Sequence, residues 1–226
     1  MNPAIPIAVS AALEVWVGTL LPPWIGWFPL WAGATTGWAA FAYLVNVPEL
    51  LGKRHAPLLA EIVLAPTLQF ARGVARLARR MGVSERQEIV PGLWVGGWPS
   101  RGPSPLAHLD VTAELRLRAS PAAYRAIPML DGAAPRLAAW EAGVEQALEW
   151  RRAGRDVLVH CAYGHGRSVS VVIGVLIAEG WDPDVDSALR RVQAIRPRAR
   201  LTGPQRRLVD RGVAAWRASH VVPTRP

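Results

Sequence analysis

The chain has 226 residues, enough for one ordinary domain with an extension. Its formal charge is +9, and nearly all of its basic residues are arginines, since Lys53 is the only lysine. This balance favours anionic partners such as phosphates and acidic lipid headgroups. The lack of a nucleic-acid-binding motif argues against DNA or RNA. The single cysteine, Cys161, excludes an intramolecular disulfide and is typical of a reducing compartment.

The N-terminal part of the chain is strongly apolar. From Val15 to Val47 there is no charged side chain, and residues 25–47 alone could cross about 30 Å of hydrocarbon. Residues 5–21 form a shorter candidate, and Pro22-Pro23 separates the two. The sequence therefore predicts a transmembrane helical hairpin over residues 1–54, with spans at about 5–21 and 25–47 and with tryptophans at the membrane–water interfaces.

Glu14 interrupts the first predicted span. A carboxylate in the hydrocarbon core costs about 2.5–3.5 kcal/mol on insertion scales. A protonated carboxyl group, packing inside an oligomer, or a single span with a re-entrant first segment would each accommodate it. A secretory signal peptide fits poorly, because the chain begins without a basic segment and the apolar run is too long.

Positive residues follow the apolar region. Lys53 and Arg54 come first, and four arginines lie between Arg72 and Arg80. Because positive residues stay on the cytoplasmic side, the sequence predicts an integral membrane protein, in a bacterial inner membrane, whose C-terminal domain is cytoplasmic. Residues 55–84 are predicted to be a linker; Leu58–Arg80 suits either a basic amphipathic helix at the headgroups or a soluble connector helix.

Residues 85–219 are predicted to form an α/β domain, followed by a tail at 220–226. Predicted strands are a hairpin over Glu88–Gly97, then Val111–Leu117, Ala123–Met129 and Asp156–His160. Predicted helices are Pro135–Ala153, Ser168–Glu179, Asp182–Ile195 with Asp182 as N-cap, and Pro204 to about Ala218. This alternation predicts a parallel-rich central sheet flanked by helices, with the ligand at the carboxyl ends of the strands.

The segment Val157–Ser168 is the most informative stretch of the chain. A β-branched run ends at His160, Cys161 opens a loop that contains two glycines, Arg167 closes it, and an apolar helix follows. In this geometry backbone amides and a helix N-terminus converge on an anion. The pattern therefore predicts a cysteine nucleophile inside a phosphate-binding loop.

Each side chain of the loop has a predicted role. The helix N-terminus favours the thiolate of Cys161, and the planar guanidinium of Arg167 matches two phosphate oxygens. Ser168 is placed to donate its hydroxyl to the sulfur when phosphate leaves, and His160 to hold the loop through backbone hydrogen bonds. The residues predicted to surround the phosphate are Ala162, Tyr163, Gly164, His165, Gly166 and Arg167; His165 could equally face solvent.

Cys161, five further residues, Arg167 and Ser168 resemble the signature of cysteine-dependent protein tyrosine phosphatases, most closely their dual-specificity branch, including its phosphatidylglycerophosphate phosphatase-like members. The hairpin around Pro91-Gly92 is similar to the opening of these domains. The resemblance implies hydrolysis of phosphate monoesters through a phosphocysteine, without metal or cofactor. The alternatives are a buried cysteine beside a surface arginine, or a non-catalytic phosphate-binding module.

The leaving group of a phosphate ester needs a proton, so a carboxylic acid must lie over the loop. Asp131 is the best candidate, because it follows a predicted strand in a flexible segment, and the resembling family has its acid at this place. The alternative is that Asp131 is only an Asx-turn or N-cap residue. Asp110 and Glu114 come too early in the fold, and Asp156 lies at the wrong end of its strand.

Two substrate classes remain open: phosphoproteins modified on tyrosine, serine or threonine, and the headgroup of a phospholipid. Membrane anchoring favours the lipid, because confinement raises its local concentration. Polyphosphorylated inositides are doubtful, because members of the family that use them have lysines in the loop, where this chain has Ala162, Tyr163 and His165. The oligomeric state does not follow from the sequence.

Overall fold

A computed structural model describes residues 3–51, 62–82, 85–100, 102–115, 117 and 119–219. The predicted basic pair Lys53 and Arg54, the start of the predicted linker helix and the tail at 220–226 lie outside these residues. The chain divides into two compact units. The first comprises Met1–Val74 with Ala113–Arg116, and the second comprises Ala75–Thr112 with Leu117–Pro226.

The first unit is a pair of helices, α1 (Ala4–Leu20) and α2 (Pro23–Leu44), that contact each other along their length. Glycines bring the two backbones close. A Cβ atom added to Gly26 would lie 2.5 Å from the carbonyl oxygen of Gly18. A short 3-10 helix (Pro48–Leu51) follows, and α3 (Ala65–Arg80) begins in this unit and ends in the second.

The two predicted membrane spans coincide with α1 and α2. Helix α1 has 17 residues, and tryptophan, glycine, threonine and proline make α2 only moderately apolar. Within the described part of the chain, no helix combines the length and the apolar character needed to cross a membrane.

Glu14 finds its hydrogen-bond partners inside the first unit. Ser10 Oγ donates to one carboxylate oxygen at 3.1 Å, and Thr36 Oγ1 donates to the other at 3.0 Å. Thr35 and Thr67 lie next to this group, with their hydroxyl oxygens 3.1 Å apart. Hydroxyl groups of the unit therefore accommodate the carboxylate that interrupts the apolar run.

Large apolar side chains point away from the first unit. Trp24 is 76 % exposed and Trp16 59 %. Others that are more than one third exposed include Ile5, Val9, Leu13, Leu20, Trp27, Phe28, Trp38, Phe41 and Leu44. So many exposed apolar side chains on a folded unit are typical of a surface that binds lipid or another protein.

The second unit is built on a five-stranded sheet. Its strands are β1 (Gln87–Val90), β2 (Leu93–Gly96), β3 (Gly102–Thr112), β4 (Ala119–Met129) and β5 (Val157–His160). Their spatial order is β1-β2-β5-β3-β4; β1 and β2 pair antiparallel, and every other neighbouring pair is parallel. The predicted parallel-rich sheet is confirmed, and the parallel strands bring their carboxyl ends to one edge.

The strand predicted at Val111–Leu117 is wrong, because β3 occupies Gly102–Thr112. Pro103 and Pro105 lie in its first half, and proline normally argues against a strand that has neighbours on both sides. In the described ladders, pairing with β5 begins at Ala107, so both prolines lie where β3 pairs with β4, and that ladder shifts register between Ser104 and Ala107. The remaining strands match their predicted positions to within a few residues.

The helices of the second unit are α4 (Leu137–Arg152), α5 (Arg167–Ala178), α6 (Val185–Ile195) and α7 (Gly203–Ser219). Residues 167–177 of α5 are all buried, because α5 contacts the sheet and the three other helices. Trp140 of α4 packs into this centre and donates its indole N–H to Ser170 O at 2.9 Å.

The predicted N-cap of α6 is also wrong. Asp184 is the N-cap, and it forms a capping box with Ser187. Asp182 instead accepts a hydrogen bond from Arg191 Nε at 2.7 Å. Since Asp182 and Asp184 both precede an apolar helical pattern, only the backbone conformation distinguishes the cap from its neighbour.

Candidate active site

The loop after β5 is held against the end of β2. Cys161 N donates to Gly96 O at 3.3 Å, and Trp98 N donates to Ala162 O at 3.1 Å. Gly164 adopts a φ of 75°, and a Cβ atom there would lie 2.5 Å from the carbonyl carbon of Gly96. Only glycine satisfies both the positive φ and this close approach.

The sulfur of Cys161 faces hydrogen-bond donors at the N-terminus of α5. Its side chain is buried, with 2 % exposure. The Gly164 amide donates to Sγ at 3.1 Å, and Ser168 Oγ lies 3.4 Å from it. A backbone amide and a hydroxyl thus converge on this sulfur at the N-terminus of α5.

Arg167 connects the loop to the end of β4. Its guanidinium is fully buried; Nη1 donates to Met129 O at 3.0 Å, and Nε lies 3.2 Å from Asp131 Oδ1. The Asp131 side chain is 47 % exposed. The structure thus brings the predicted phosphate ligand and the predicted general acid into contact, although they belong to different elements.

The segment that carries Asp131 is positioned by residues far along the chain. Gly132 has a φ of 70°, and its carbonyl accepts a hydrogen bond from Thr202 Oγ1 at 3.2 Å. The N-cap of α4 is Arg136, so Asp131 does not cap that helix. This excludes the N-cap alternative and leaves the carboxylate at the mouth of the loop.

His160 lies beneath the loop in a buried polar cluster. Its Nδ1 is 3.9 Å from Asp110 Oδ1, and its ring meets that of His108 edge-on, with centroids 5.4 Å apart. Asp110 accepts hydrogen bonds from Thr112 N, Thr112 Oγ1 and Tyr124 Oη. His160 therefore lies next to a carboxylate of β3, and its role in holding the loop through backbone hydrogen bonds stays a prediction.

His108 is an uncharged member of this cluster at neutral pH. Its pKa is lowered to about 4, mainly by burial and also by Arg86, while Asp110 acts in the opposite direction. Its Nε2 lies 2.9 Å from Ser104 Oγ.

The other predicted loop residues differ in exposure. Ala162 and Gly164 are buried, whereas Tyr163, His165 and Gly166 are partly exposed. His165 O accepts a hydrogen bond from Arg200 N at 2.8 Å. Among the residues that the structure describes, no group of three or more histidine, cysteine, aspartate or glutamate side chains could hold a metal ion.

Sequence reasoning missed two residues near the loop. Asp110 was considered only as a general acid, although a charged residue between Leu109 and Val111 in an apolar strand is itself a signal of a buried polar contact. Arg196, which directly follows the predicted helix Asp182–Ile195, has no predicted role. Its guanidinium in fact contacts two carbonyl groups of the loop.

Solved structures with a similar fold match part of this chain. Human DUSP28 superposes with a TM-score of 0.54 and 21% sequence identity, over 60% of this chain and 100% of that one. A mouse protein described as a dual-specificity phosphatase, complexed with zinc tungstate, gives 0.51 and 20%, over 59% and 89%. PTPMT1 in complex with PI(5)P gives 0.50 and 19%, over 59% and 97%.

The other comparisons give no relative. No protein-family model matches the chain, and no curated protein matches it. The fold predicted from the loop motif is nevertheless confirmed by the strand order and by these structural matches. The second unit of this chain has the fold of the cysteine-dependent dual-specificity phosphatases.

Proposed function

We propose that this protein is a cysteine-dependent phosphatase that hydrolyses phosphate monoesters through a phosphocysteine intermediate. The observation that carries the proposal is the surroundings of one sulfur. Cys161 Sγ lies 3.1 Å from an amide nitrogen of its own loop and 3.4 Å from Ser168 Oγ. Arg167 and Asp131 form an ion pair at the mouth of the same loop.

In the first step the thiolate of Cys161 attacks phosphorus, and the bond from phosphorus to the leaving oxygen breaks. Asp131 in its protonated form gives that oxygen a proton, so an alcohol or phenol departs. The loop amides and the guanidinium of Arg167 stabilise the equatorial oxygens. Phosphate must replace the Asp131 carboxylate as the partner of Arg167, which leaves Asp131 beside the leaving group.

In the second step a water molecule attacks the phosphocysteine. Asp131, now ionised, takes a proton from the water as its oxygen bonds to phosphorus, and the sulfur–phosphorus bond breaks. Ser168 Oγ donates a hydrogen bond to the departing sulfur, which carries away the electron pair. Inorganic phosphate and the thiolate are the products, so the enzyme returns to its starting state.

The substrate that we propose first is a phosphoprotein modified on tyrosine, serine or threonine. Asp131 is half exposed at the mouth of the loop, which suits a protruding phosphorylated side chain. A non-catalytic phosphate-binding module is the weaker proposal, since Cys161, Arg167 and Ser168 are all present.

A phospholipid with a monophosphate headgroup is the second candidate substrate. The exposed apolar side chains of the first unit, including Trp16 and Trp24, support it. We propose that this unit attaches the protein to the inner membrane of a bacterium, with the phosphatase domain on the cytoplasmic side. The basic end of α3, which carries Arg79 and Arg80, supports contact with acidic headgroups.

A substrate panel tests the function and separates the two classes. The full chain would be assayed against phosphotyrosyl and phosphoseryl peptides, phosphatidylglycerophosphate and phosphatidate, with and without anionic vesicles. Hydrolysis of any of these that is lost in Cys161→Ser supports a phosphatase. Turnover that requires vesicles and is confined to the lipids would favour the second candidate, and no turnover on any substrate would contradict the proposal.

A further inference from the structure

Arg196 is a buried arginine that contacts the phosphate-binding loop from outside. It follows the last residue of α6 and is 4 % exposed. Nε donates to Gly164 O at 2.7 Å, and Nη2 donates to Tyr163 O at 2.8 Å. Nη1 donates to Glu85 O at 2.7 Å and to Gln87 Oε1 at 2.9 Å. One guanidinium thus joins two consecutive loop carbonyls to the segment that leads into β1.

These two hydrogen bonds determine where the following amides point. A trans peptide is planar, and its C=O and the N–H of the next residue point in opposite directions. When Arg196 holds the carbonyls of Tyr163 and Gly164 outward, the N–H groups of Gly164 and His165 face inward. The Gly164 amide does point inward, since it donates to Cys161 Sγ at 3.1 Å.

An arginine suits this position better than a lysine. A guanidinium offers five N–H donors in one plane, whereas an ammonium offers three donors around a point charge. Arg196 uses that plane to reach four acceptors. Gln87 braces the arrangement from the other side, because its Nε2 donates to Ile195 O at 2.9 Å.

Burial lowers the pKa of Arg196, while the negative charges of Cys161 and Glu85 act in the opposite direction.

We propose that Arg196 is a positioning residue that sets the inward orientation of the loop amides and thereby the affinity of the loop for tetrahedral oxyanions. The inference rests on the proposed phosphatase function, since it assigns those amides to phosphate. It makes a prediction that a purely structural role does not: loss of Arg196 weakens oxyanion binding even where the fold remains intact.

The test compares Arg196→Gln and Arg196→Lys with the unchanged full chain. Binding of sodium tungstate would be measured by isothermal titration calorimetry, and kcat and KM with para-nitrophenyl phosphate. We expect Arg196→Gln to weaken tungstate binding by about 100-fold, from the loss of charge-assisted hydrogen bonds. Arg196→Lys should recover only part of this, with a remaining loss of about 10-fold.

Arg191→Gln is the matched control. Arg191 lies on α6, the helix that Arg196 follows, and makes an ion pair with Asp182 instead of contacting the loop. The change in charge is the same in both variants. It should leave tungstate affinity within about twofold of the unchanged protein. A loss equal to that of Arg196→Gln would overturn the proposal, as would full recovery by lysine or unchanged affinity in Arg196→Gln.

Gln87→Ala covers the case in which the Arg196 variants do not fold. It removes one acceptor of Arg196 and the hydrogen bond to Ile195 O, while the guanidinium of Arg196 itself stays in place. We expect a loss of tungstate affinity of about threefold to tenfold, and unchanged affinity would overturn the proposal. If the unchanged protein binds tungstate but hydrolyses no substrate, the phosphatase function fails, and the affinities alone still decide the role of Arg196.

Discussion

The two units of this chain treat similar apolar residues in opposite ways. In the second unit Trp140 is 1 % exposed, and its ring packs so closely that a Cβ atom on Gly212 would lie 2.3 Å from it. In the first unit Trp24 is 76 % exposed. The second unit closes around one core, whereas the first leaves many of its apolar side chains exposed.

This contrast bears on two proposed roles of the chain, phosphate hydrolysis by the second unit and attachment by the first. A loop that binds phosphate needs buried polar groups held by a rigid core, because an unfixed donor gives up much of its electrostatic effect. A surface that attaches to lipid or protein needs exposed apolar area. We therefore expect substitutions in the second unit to change chemistry and stability, and substitutions on the outside of the first unit to change attachment.

The largest expected effect is that of Cys161→Ser. Hydrolysis of para-nitrophenyl phosphate should fall by at least about 10³-fold, because the nucleophile is removed, while tungstate binding remains. Steady-state kinetics and calorimetry check the two halves of this prediction. Undiminished turnover in Cys161→Ser would reject the nucleophile assignment.

A Trp24→Ser/Trp27→Ser variant should keep full activity on this water-soluble substrate and lose affinity for anionic vesicles by about 10-fold.

Core packing is the next difference to test. Trp140→Ala should destabilise the protein by about 3–5 kcal/mol, because it opens a cavity and removes the bond to Ser170 O. Trp24→Ala should change the free energy of unfolding by less than about 0.5 kcal/mol in the absence of vesicles. Chemical denaturation monitored by circular dichroism measures both. Equal losses would show that the exposed face of the first unit is packed in solution.

Asp131→Asn should slow the hydrolysis of alkyl phosphates by about 100-fold, because their leaving groups need a proton. Aryl phosphates with acidic leaving groups should be affected far less. The ratio of kcat/KM for the two substrate types checks the prediction. If both fall equally, a different group supplies the proton, and the contact between Asp131 and Arg167 would have another purpose.

The last prediction concerns His108 and pH. Its folded-state pKa of about 4 lies below the ordinary histidine value of 6.5, so the unfolded chain binds a proton first as the pH falls. Stability is therefore lost between about pH 6.5 and pH 4, by up to about 3 kcal/mol. His108→Asn removes this contribution, and unfolding measured at pH 7 and pH 4.5 should show a smaller pH dependence in the variant. An equal dependence in both proteins would contradict the assignment.

Local patterns could be predicted where neighbours in sequence are also neighbours in space. The strand, loop and helix around Cys161 form one continuous segment, and the hairpin at Pro91-Gly92 needs only its own turn residues. Prediction failed at β3, because Pro103 and Pro105 argue against a strand that the structure nevertheless forms, with a register shift. It also failed at the α6 cap, where two aspartates compete for one position.

The sequence by itself determined the strand, loop and helix around Cys161 and the break at Pro22-Pro23, because both depend on backbone preferences within a few residues. The tertiary structure alone decided that Arg167 meets Asp131 and that Arg196 holds the loop from outside. These contacts join residues from separate elements. They arise because the strand order brings the ends of β4 and β5 to one edge, which no local preference specifies.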